Sequence, residues 1–149
     1  MILEYSYTLD EAARIGAVIG GALMPGDVVA LSGDLGAGKT TLARAMLKAR
    51  GLAGEAPSPT FAIVQPYTPP EVDLAIAHVD LYRIGNADEL IELGLDDYLY
   101  DGALLIEWPE RLGSEGWPGA LWLTISGEGD ARVLTAAVPP AWETRWPLR

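Results

Sequence analysis

The sequence reads Gly33-Asp34-Leu35-Gly36-Ala37-Gly38-Lys39-Thr40 near its start, and this stretch decides the fold. It matches the pattern Gly, four residues, Gly-Lys-Thr, whose glycines let successive backbone N–H groups turn toward one anion. The helix that follows points its positive N-terminal end at the same anion. In such a loop, Lys39 reaches the β- and γ-phosphates of a nucleotide and the Thr40 hydroxyl ligates Mg²⁺. The predicted nucleotide contacts are Asp34, Leu35, Gly36, Ala37, Gly38, Lys39, Thr40 and Thr41.

The segments on both sides of this loop support the prediction. The apolar run at 28–31 is typical of a buried strand, and residues 41–48 are typical of a helix. The simpler alternative is an ordinary glycine-rich turn between a strand and a helix. The chain has only two lysines, Lys39 and Lys48, and one of them stands where the phosphates need it.

Composition limits the class of protein. A chain of 149 residues is expected to form one domain, and half of its residues are hydrophobic, although no apolar run is long enough to span a membrane. It has no cysteine, which excludes disulfides and thiolate metal sites. The first eight residues contain Glu4 and no basic residue, so we expect no secretory signal and a cytoplasmic protein.

The formal net charge of −11 disfavours direct binding to nucleic acid. A protein that grips a phosphate backbone needs clustered basic residues, and the ten lysines and arginines of this chain are scattered. A basic protein partner remains compatible with the charge. The plainer alternative is that the acidity serves solubility alone.

The order of predicted elements indicates an α/β fold of the P-loop NTPase kind, with a mostly parallel central sheet flanked by helices. Strands are predicted over 2–7, 28–32, 61–64, 74–79 and 103–106, followed by a C-terminal antiparallel hairpin over 121–125 and 132–138. Helices are predicted over 9–23, from the loop to Gly51, and from Asn86 to Gly94, with capping boxes at Thr8 and Asn86. Residues 139–149 are expected to form an irregular, packed tail of the single domain.

Two carboxylates stand where a P-loop protein needs them. Asp80 and Glu107 each follow an apolar run, at the carboxyl end of a predicted strand, where open α/β sheets place their ligands. The sequence leaves open which of them binds the metal and which positions water. His78 shares a strand face with Asp80 and is interpreted as a core or supporting residue, with a ligand or base as the alternative. Trp108, beside Glu107, is either packing or a lid over the site.

The loop Pro57-Ser58-Pro59-Thr60 follows the predicted P-loop helix, where switch segments occur. The hydroxyls of Ser58 and Thr60 could sense a γ-phosphate, whereas the alternative is a turn stiffened by proline. The chain contains no Asn-Lys-x-Asp motif for reading guanine, so a GTPase of the common kind is disfavoured.

Four motifs together resemble a known family: the glycine-rich loop at 33–41, Ser58-Pro59-Thr60-Phe61, His78-Val79-Asp80-Leu81-Tyr82-Arg83, and Ile106-Glu107-Trp108-Pro109. In order and spacing they are similar to the TsaE (YjeE) family, the P-loop ATPase of bacterial tRNA threonylcarbamoyladenosine biosynthesis. The resemblance covers about residues 8–138. The glycine-rich loop alone is generic, whereas the motifs at 78–83 and 106–109 together are specific to this family.

The resemblance implies an ATPase that works with two partners, TsaB and TsaD, which transfer a threonylcarbamoyl group to tRNA adenosine. It implies Mg²⁺ at Thr40 and Glu107, and catalysis that involves Asp80, Glu107 and Lys39. It also suggests nucleotide contacts near Thr8 and Leu9 and from Arg132. The tRNA would then be reached only indirectly, through the partners, as the acidity also suggests. The competing hypotheses are a stand-alone nucleotide or metabolite kinase on the same fold and a nucleotide-dependent binding switch.

Overall fold

A seven-stranded mixed sheet runs through the computed structural model, which describes residues 1–34, 36–54, 63–112 and 117–148. The strands are β1 (Ile2–Thr8), β2 (Val28–Gly33), β3 (Val64–Tyr67), β4 (Ala75–Asp80), β5 (Gly102–Glu107), β6 (Leu121–Ser126) and β7 (Ala131–Ala137). Their order across the sheet is β1-β7-β6-β2-β5-β4-β3. The prediction of an α/β fold is confirmed.

Strand direction divides this sheet into a parallel centre and two antiparallel edges. The pairs β6–β2, β2–β5 and β5–β4 are parallel, whereas β1–β7, β7–β6 and β3–β4 are antiparallel. The predicted C-terminal hairpin is β6–β7. The other antiparallel edge, at β3, was not predicted, so the parallel part of the sheet is smaller than expected. The central strands β2 and β5 are nevertheless buried along most of their length, as parallel strands between helical layers are.

The helices are α1 (Ala12–Gly21), α2 (Lys39–Ala49), α3 (Ala87–Glu92) and α4 (Pro140–Glu143), with 3₁₀ turns at Leu9–Glu11, Leu95–Leu99 and Pro109–Leu112. The helix predicted over 9–23 therefore begins as a 3₁₀ turn and ends at Gly21. Its cap is formed by the Glu11 carboxylate, which accepts the Thr8 backbone N–H at 3.0 Å. None of the helices described is long and apolar enough to cross a membrane.

The position of β3 corrects the prediction of a strand over 61–64. The strand runs from Val64 to Tyr67 and includes Pro66, which sequence reasoning placed outside any strand. Because β3 pairs only with β4, it is an edge strand, and an edge strand tolerates proline where the missing N–H would face away from the partner. Residues 61 and 62 lie outside the described part of the chain.

Helices α1 and α2 pack closely through glycine. At Gly20 of α1, a Cβ atom would lie 2.6 Å from Met46 Cα and 2.7 Å from the Met46 carbonyl oxygen. At Gly16, one turn earlier, it would lie 2.5 Å from the Ala45 Cβ. Only glycine therefore allows this approach, which seats α2 against α1 in the main core cluster.

The C-terminal segment packs onto β1 and the end of α1. Trp142 and Trp146 are buried, and the Trp146 indole N–H donates to the Tyr5 hydroxyl at 2.9 Å. The Arg145 guanidinium forms a bidentate pair with Asp27, at 2.6 and 2.7 Å. These contacts close the face of the sheet that carries α1 and α2, since both tryptophans belong to the same core cluster as those helices.

The close approach of α1 and α2 can be tested with two neighbouring glycines. We expect Gly20→Ala to lower the free energy of unfolding by about 1–3 kcal/mol, because the methyl group would overlap the Met46 backbone. Gly21→Ala is the matched control, since a Cβ there meets nothing within 4 Å and alanine is the better helix former by about 1 kcal/mol. Urea denaturation of both variants measures the difference. Equal effects in the two variants would contradict the packing described.

Candidate functional site

The glycine-rich loop joins β2 to the first residue of α2. Gly36 and Gly38 have φ angles of 81° and 114°, in the left-handed region that favours glycine. A Cβ at either position would meet nothing within 4 Å, so backbone conformation rather than crowding requires glycine there. Gly38 directly precedes α2, which places Lys39 and Thr40 in the first turn of that helix. The free N–H groups of this turn make it a favourable place for an anion.

The two predicted carboxylates end neighbouring strands. Asp80 is the last residue of β4 and Glu107 the last of β5, and the two are paired in the parallel register. They face the glycine-rich loop across a cavity of about 230 Å³. The cavity is lined by Gly36, Gly38, Lys39, Thr40, Thr41, Asp80, Glu107 and Trp108. The structure thus brings together most of the residues that the sequence singled out for phosphate, metal and lid.

Glu107 is the centre of a short hydrogen-bond chain. The Thr40 hydroxyl donates to its carboxylate, at 2.8 Å from Oε1 and 3.0 Å from Oε2. His78 Nε2 lies 2.6 Å from Oε2 on the other side. Glu107 and His78 are both buried, and Glu107 is only 3% exposed. The carboxylate is therefore held between a threonine of α2 and a histidine of β4.

Lys39 is a buried ammonium whose partners are neutral. Its Nζ donates to the carbonyl oxygens of Gly33 at 2.6 Å and Asp34 at 2.9 Å, and lies 4.3 Å from the centroid of the Trp108 ring. Within the described residues, no carboxylate oxygen lies within 4 Å of it. Burial lowers the pKa of Lys39, and the negative charge of Glu107 opposes that shift. A cation so placed is stabilised by an incoming anion.

Trp108 adopts an uncommon backbone conformation at the rim of the cavity. Its φ angle is 59°, in the left-handed region, which is unusual for a bulky residue and is typically found at functional sites. The conformation turns the ring toward Lys39 and against Tyr82, whose ring centroid is 4.9 Å away. Whether Trp108 acts as a lid stays a prediction. Sequence reasoning missed the contact of Tyr82 with Trp108, and the one signal for it is that Tyr82 belongs to the His-x-Asp-x-Tyr-Arg motif.

Asp80 faces the same cavity, and a backbone N–H holds its carboxylate. Its Oδ1 accepts the Tyr82 N–H at 2.9 Å. Burial raises the pKa of the Asp80 carboxyl, and the Tyr82 hydrogen bond acts in the opposite direction. The charge of Glu107 adds to the rise.

A second cavity, of about 420 Å³, lies between β1 and the β6–β7 turn. Thr8 and Arg132, both predicted nucleotide contacts, line it together with Tyr7 and Glu128. The Arg132 Nε also donates to the carbonyl oxygen of Ala37 at 3.0 Å, a contact with the glycine-rich loop that the sequence did not reveal. Leu9 is not among the lining residues, and its N–H donates to the Asp130 carbonyl oxygen at 3.1 Å.

Three predicted site residues lie outside the part of the chain that the structure describes. They are Leu35 of the glycine-rich loop and the two predicted switch residues, Ser58 and Thr60. A contact near the loop that sequence reasoning missed joins the Ser32 hydroxyl to the Glu110 carboxylate. No sequence motif signals it, because the two residues belong to β2 and to a 3₁₀ turn far along the chain.

Comparison with known structures first defines the class of protein. The chain is similar to YdiB of Bacillus subtilis, with a TM-score of 0.78 and 29% sequence identity over 97% of this chain and 90% of that one. At this TM-score the two chains share a fold, which in this protein is an α/β fold with a seven-stranded mixed sheet.

The family follows from the sequence itself. Residues 6–134 match the family model described as threonylcarbamoyl adenosine biosynthesis protein TsaE. The chain is 35% identical over 134 residues to the tRNA threonylcarbamoyladenosine biosynthesis protein TsaE of Treponema pallidum, which covers 88% of this chain and 97% of that protein. It is also 35% identical to the TsaE protein of Bacillus subtilis, over 81% of this chain and 75% of that protein. The chain belongs to the TsaE family, and the resemblance drawn from the sequence is confirmed.

The buried charge of Asp80 predicts a pH-dependent effect on stability. Because burial raises the pKa of this carboxyl in the folded state, its favourable contribution is complete below the unfolded-state pKa and is lost as the pH rises through the folded-state pKa. Asp80→Asn removes the charge and keeps the acceptor for Tyr82. We therefore expect the variant to gain free energy of unfolding over the wild type as the pH rises from about 4 to about 7.

Urea denaturation without nucleotide, at several pH values, measures this gain. Asp34→Asn is the control, because it removes an exposed carboxylate, that of Asp34 in the glycine-rich loop. An Asp80→Asn advantage that stays constant over this pH range would contradict the prediction.

Proposed function

We propose that this chain binds and hydrolyses ATP as an accessory subunit of tRNA threonylcarbamoyladenosine synthesis, acting with TsaB- and TsaD-type partners. One arrangement supports this activity above all: Lys39 and Thr40, in the first turn of α2, face Asp80 and Glu107 across one cavity. A cationic and hydrogen-bonding wall opposite a carboxylate wall suits a phosphate chain accompanied by a divalent cation. Family membership supplies the biological context.

The first turn of α2 is proposed to hold the phosphates. Backbone N–H groups of the loop and the helix end supply hydrogen bonds, and Lys39 supplies a positive charge. On nucleotide binding, the Lys39 ammonium would exchange the carbonyl oxygens of Gly33 and Asp34 for phosphate oxygens. That exchange is favourable because an anion compensates the burial of the ammonium better than a neutral carbonyl does.

The donor set at Thr40 and Glu107 fits Mg²⁺. Both offer oxygen atoms, and magnesium commonly uses one or two protein oxygens while water and phosphate complete its shell. Bound Mg²⁺ would neutralise charge that develops on the phosphates. Thr40 and Glu107 would hold it, directly or through water.

Asp80 is proposed to orient the attacking water or to support the metal from outside its first shell. Its second carboxylate oxygen, Oδ2, is not used by the Tyr82 hydrogen bond and stays available to the cavity. The raised pKa of this carboxyl brings it closer to the range in which an acid or base works at neutral pH.

The cavity between β1 and the β6–β7 turn is proposed to receive the nucleoside end of ATP. Arg132 links this cavity to the phosphate loop, because its guanidinium bonds the Ala37 carbonyl oxygen while it lines the cavity. Thr8, on the neighbouring strand β1, lines the same cavity.

Two observations support dependence on partners. Lys39 is the only basic residue that lines the phosphate cavity among the described residues, so an arginine that stabilises the transferring phosphoryl group would have to come from elsewhere. An arginine supplied by a partner can raise the rate by about 10³–10⁵-fold. In addition, the net charge of −11 favours docking onto a basic protein, through which tRNA would be reached.

The nucleotide site is tested with the two lysines of the chain. We expect Lys39→Ala to weaken ATP binding by about tenfold or more, because a charge-assisted contact with phosphate is worth roughly 1.5–3 kcal/mol. Lys48→Ala is the matched control, since it removes an exposed lysine from the other end of the same helix. Calorimetric titration of the folded proteins measures both affinities. Unchanged affinity in Lys39→Ala would remove the basis of the phosphate site.

The accessory role is tested by steady-state ATPase measurements with and without the TsaB and TsaD partners. We expect slow hydrolysis by the isolated chain and a clear rise on addition of the partners, with association weakened by salt. Threonylcarbamoyladenosine in tRNA should fall in cells depleted of this protein. Brisk hydrolysis by the chain alone, unchanged by partners, together with normal tRNA modification after depletion, would favour the kinase alternative.

A further inference from the structure

We propose that His78 is a positioning residue, which fixes the Glu107 carboxylate so that the Thr40 hydroxyl turns its lone pairs toward the cation. This inference rests on the proposed binding of Mg²⁺ and nucleotide, and it adds a role for a residue that binds neither. Its chemistry is a relay of three side chains, from β4 through β5 to the first turn of α2.

The burial of His78 is unfavourable for a residue that only packs. Its side chain is fully buried, and its Nδ1 has no hydrogen-bond partner among the described residues. A buried polar nitrogen without a partner lowers the stability of the folded state, because its hydration is lost and nothing replaces it. An apolar side chain of similar size would fill the same space without that cost, so packing alone does not explain a histidine here.

The contact that compensates this cost is the one with Glu107. His78 Nε2 lies 2.6 Å from Glu107 Oε2, a short distance that is typical of a charge-assisted hydrogen bond. For Nε2 to donate to a carboxylate it must carry the proton, which leaves Nδ1 as a bare lone pair in the neutral ring. In this tautomer Nδ1 is an acceptor, and it has no partner among the described residues.

Fixing Glu107 has a consequence for Thr40. A threonine hydroxyl has one proton and two lone pairs, and here the proton is directed at the Glu107 carboxylate. The lone pairs are then left to the cavity, where a cation uses them. Without the His78 donor, the carboxylate would lose the contact that holds it from behind. It could then rotate away from Thr40. That rotation would weaken the binding of Mg²⁺ and leave the binding of nucleotide without Mg²⁺ unchanged.

The test compares His78→Phe with His78→Gln. Phenylalanine keeps a planar side chain and removes both nitrogens, whereas the glutamine amide N–H reaches about as far as Nε2 and restores a donor. His78→Asn, whose amide is too short to reach Glu107, is made in parallel in case His78→Phe does not fold. Tyr67→Phe is the control for the loss of a buried polar atom. Among the described residues the Tyr67 hydroxyl also has no partner, but it lies on β3, and Tyr67 does not line the cavity.

Nucleotide binding is measured by calorimetry with ADP, over a range of Mg²⁺ concentrations and in EDTA, after thermal unfolding has verified the fold. We expect His78→Phe and His78→Asn to raise the Mg²⁺ concentration for half-maximal binding by about tenfold or more, as loss of a residue that orients a metal ligand does. Affinity for ADP in EDTA should stay the same. In His78→Gln the Mg²⁺ concentration for half-maximal binding should return most of the way to the wild-type value. Tyr67→Phe should leave that concentration unchanged.

Each departure from this pattern has a distinct meaning. If His78→Phe lost ADP affinity equally with and without Mg²⁺, the inference would be overturned in favour of a packing role. The same would follow if His78→Gln needed as much Mg²⁺ as His78→Phe for half-maximal binding. Wild-type Mg²⁺ dependence in His78→Phe would overturn it as well. In all these cases the wild type still binds nucleotide with Mg²⁺, so the proposed function stands. A wild type that shows no such binding would instead defeat the proposed function.

Discussion

The parallel register of β4 with β5 sets Asp80 beside Glu107, and the geometry of the candidate site depends on it. Strand β2 pairs with β5 on its other side and leads directly into the glycine-rich loop. Because the three strands run in one direction, their carboxyl ends meet at one edge of the sheet, opposite the start of α2. A shift of one residue would turn Asp80 and His78 to the opposite face of the sheet, away from Glu107.

Burial of polar groups is concentrated at this edge. In the described part of the chain, the buried polar or charged residues are Lys39, His78, Asp80 and Glu107, and all four belong to the site or support it. Burial costs stability unless each group finds a partner, and these residues partly provide one another with partners. The neutral contacts of Lys39 and the orphan nitrogen of His78 are the exceptions. Both exceptions therefore lie at the candidate site or directly behind it, since Lys39 lines the cavity and His78 contacts Glu107.

The rest of the fold supports this edge from a distance. The β6–β7 turn brings Arg132 to the Ala37 carbonyl oxygen, which ties the hairpin to the glycine-rich loop. Glycines 16 and 20 allow α1 to hold α2, whose first turn carries Lys39. The C-terminal tryptophans complete the core under these helices. The antiparallel edges therefore do more than extend the sheet, since one of them supplies a contact to the loop itself.

The sequence by itself determined the features that depend on neighbours along the chain. The passage from β2 into α2, the strand ends at Asp80 and Glu107, the cap at Asn86 and the family were all predicted correctly. Only the tertiary structure decided the strand order, the edge position of β3 with Pro66, and the contacts of Glu107 with Thr40 and His78. Backbone conformation, periodicity and capping are short-range properties that a sequence displays directly. Contacts between residues 29, 67 or 95 positions apart exist only because strands and helices pack in one particular order, which no local pattern encodes.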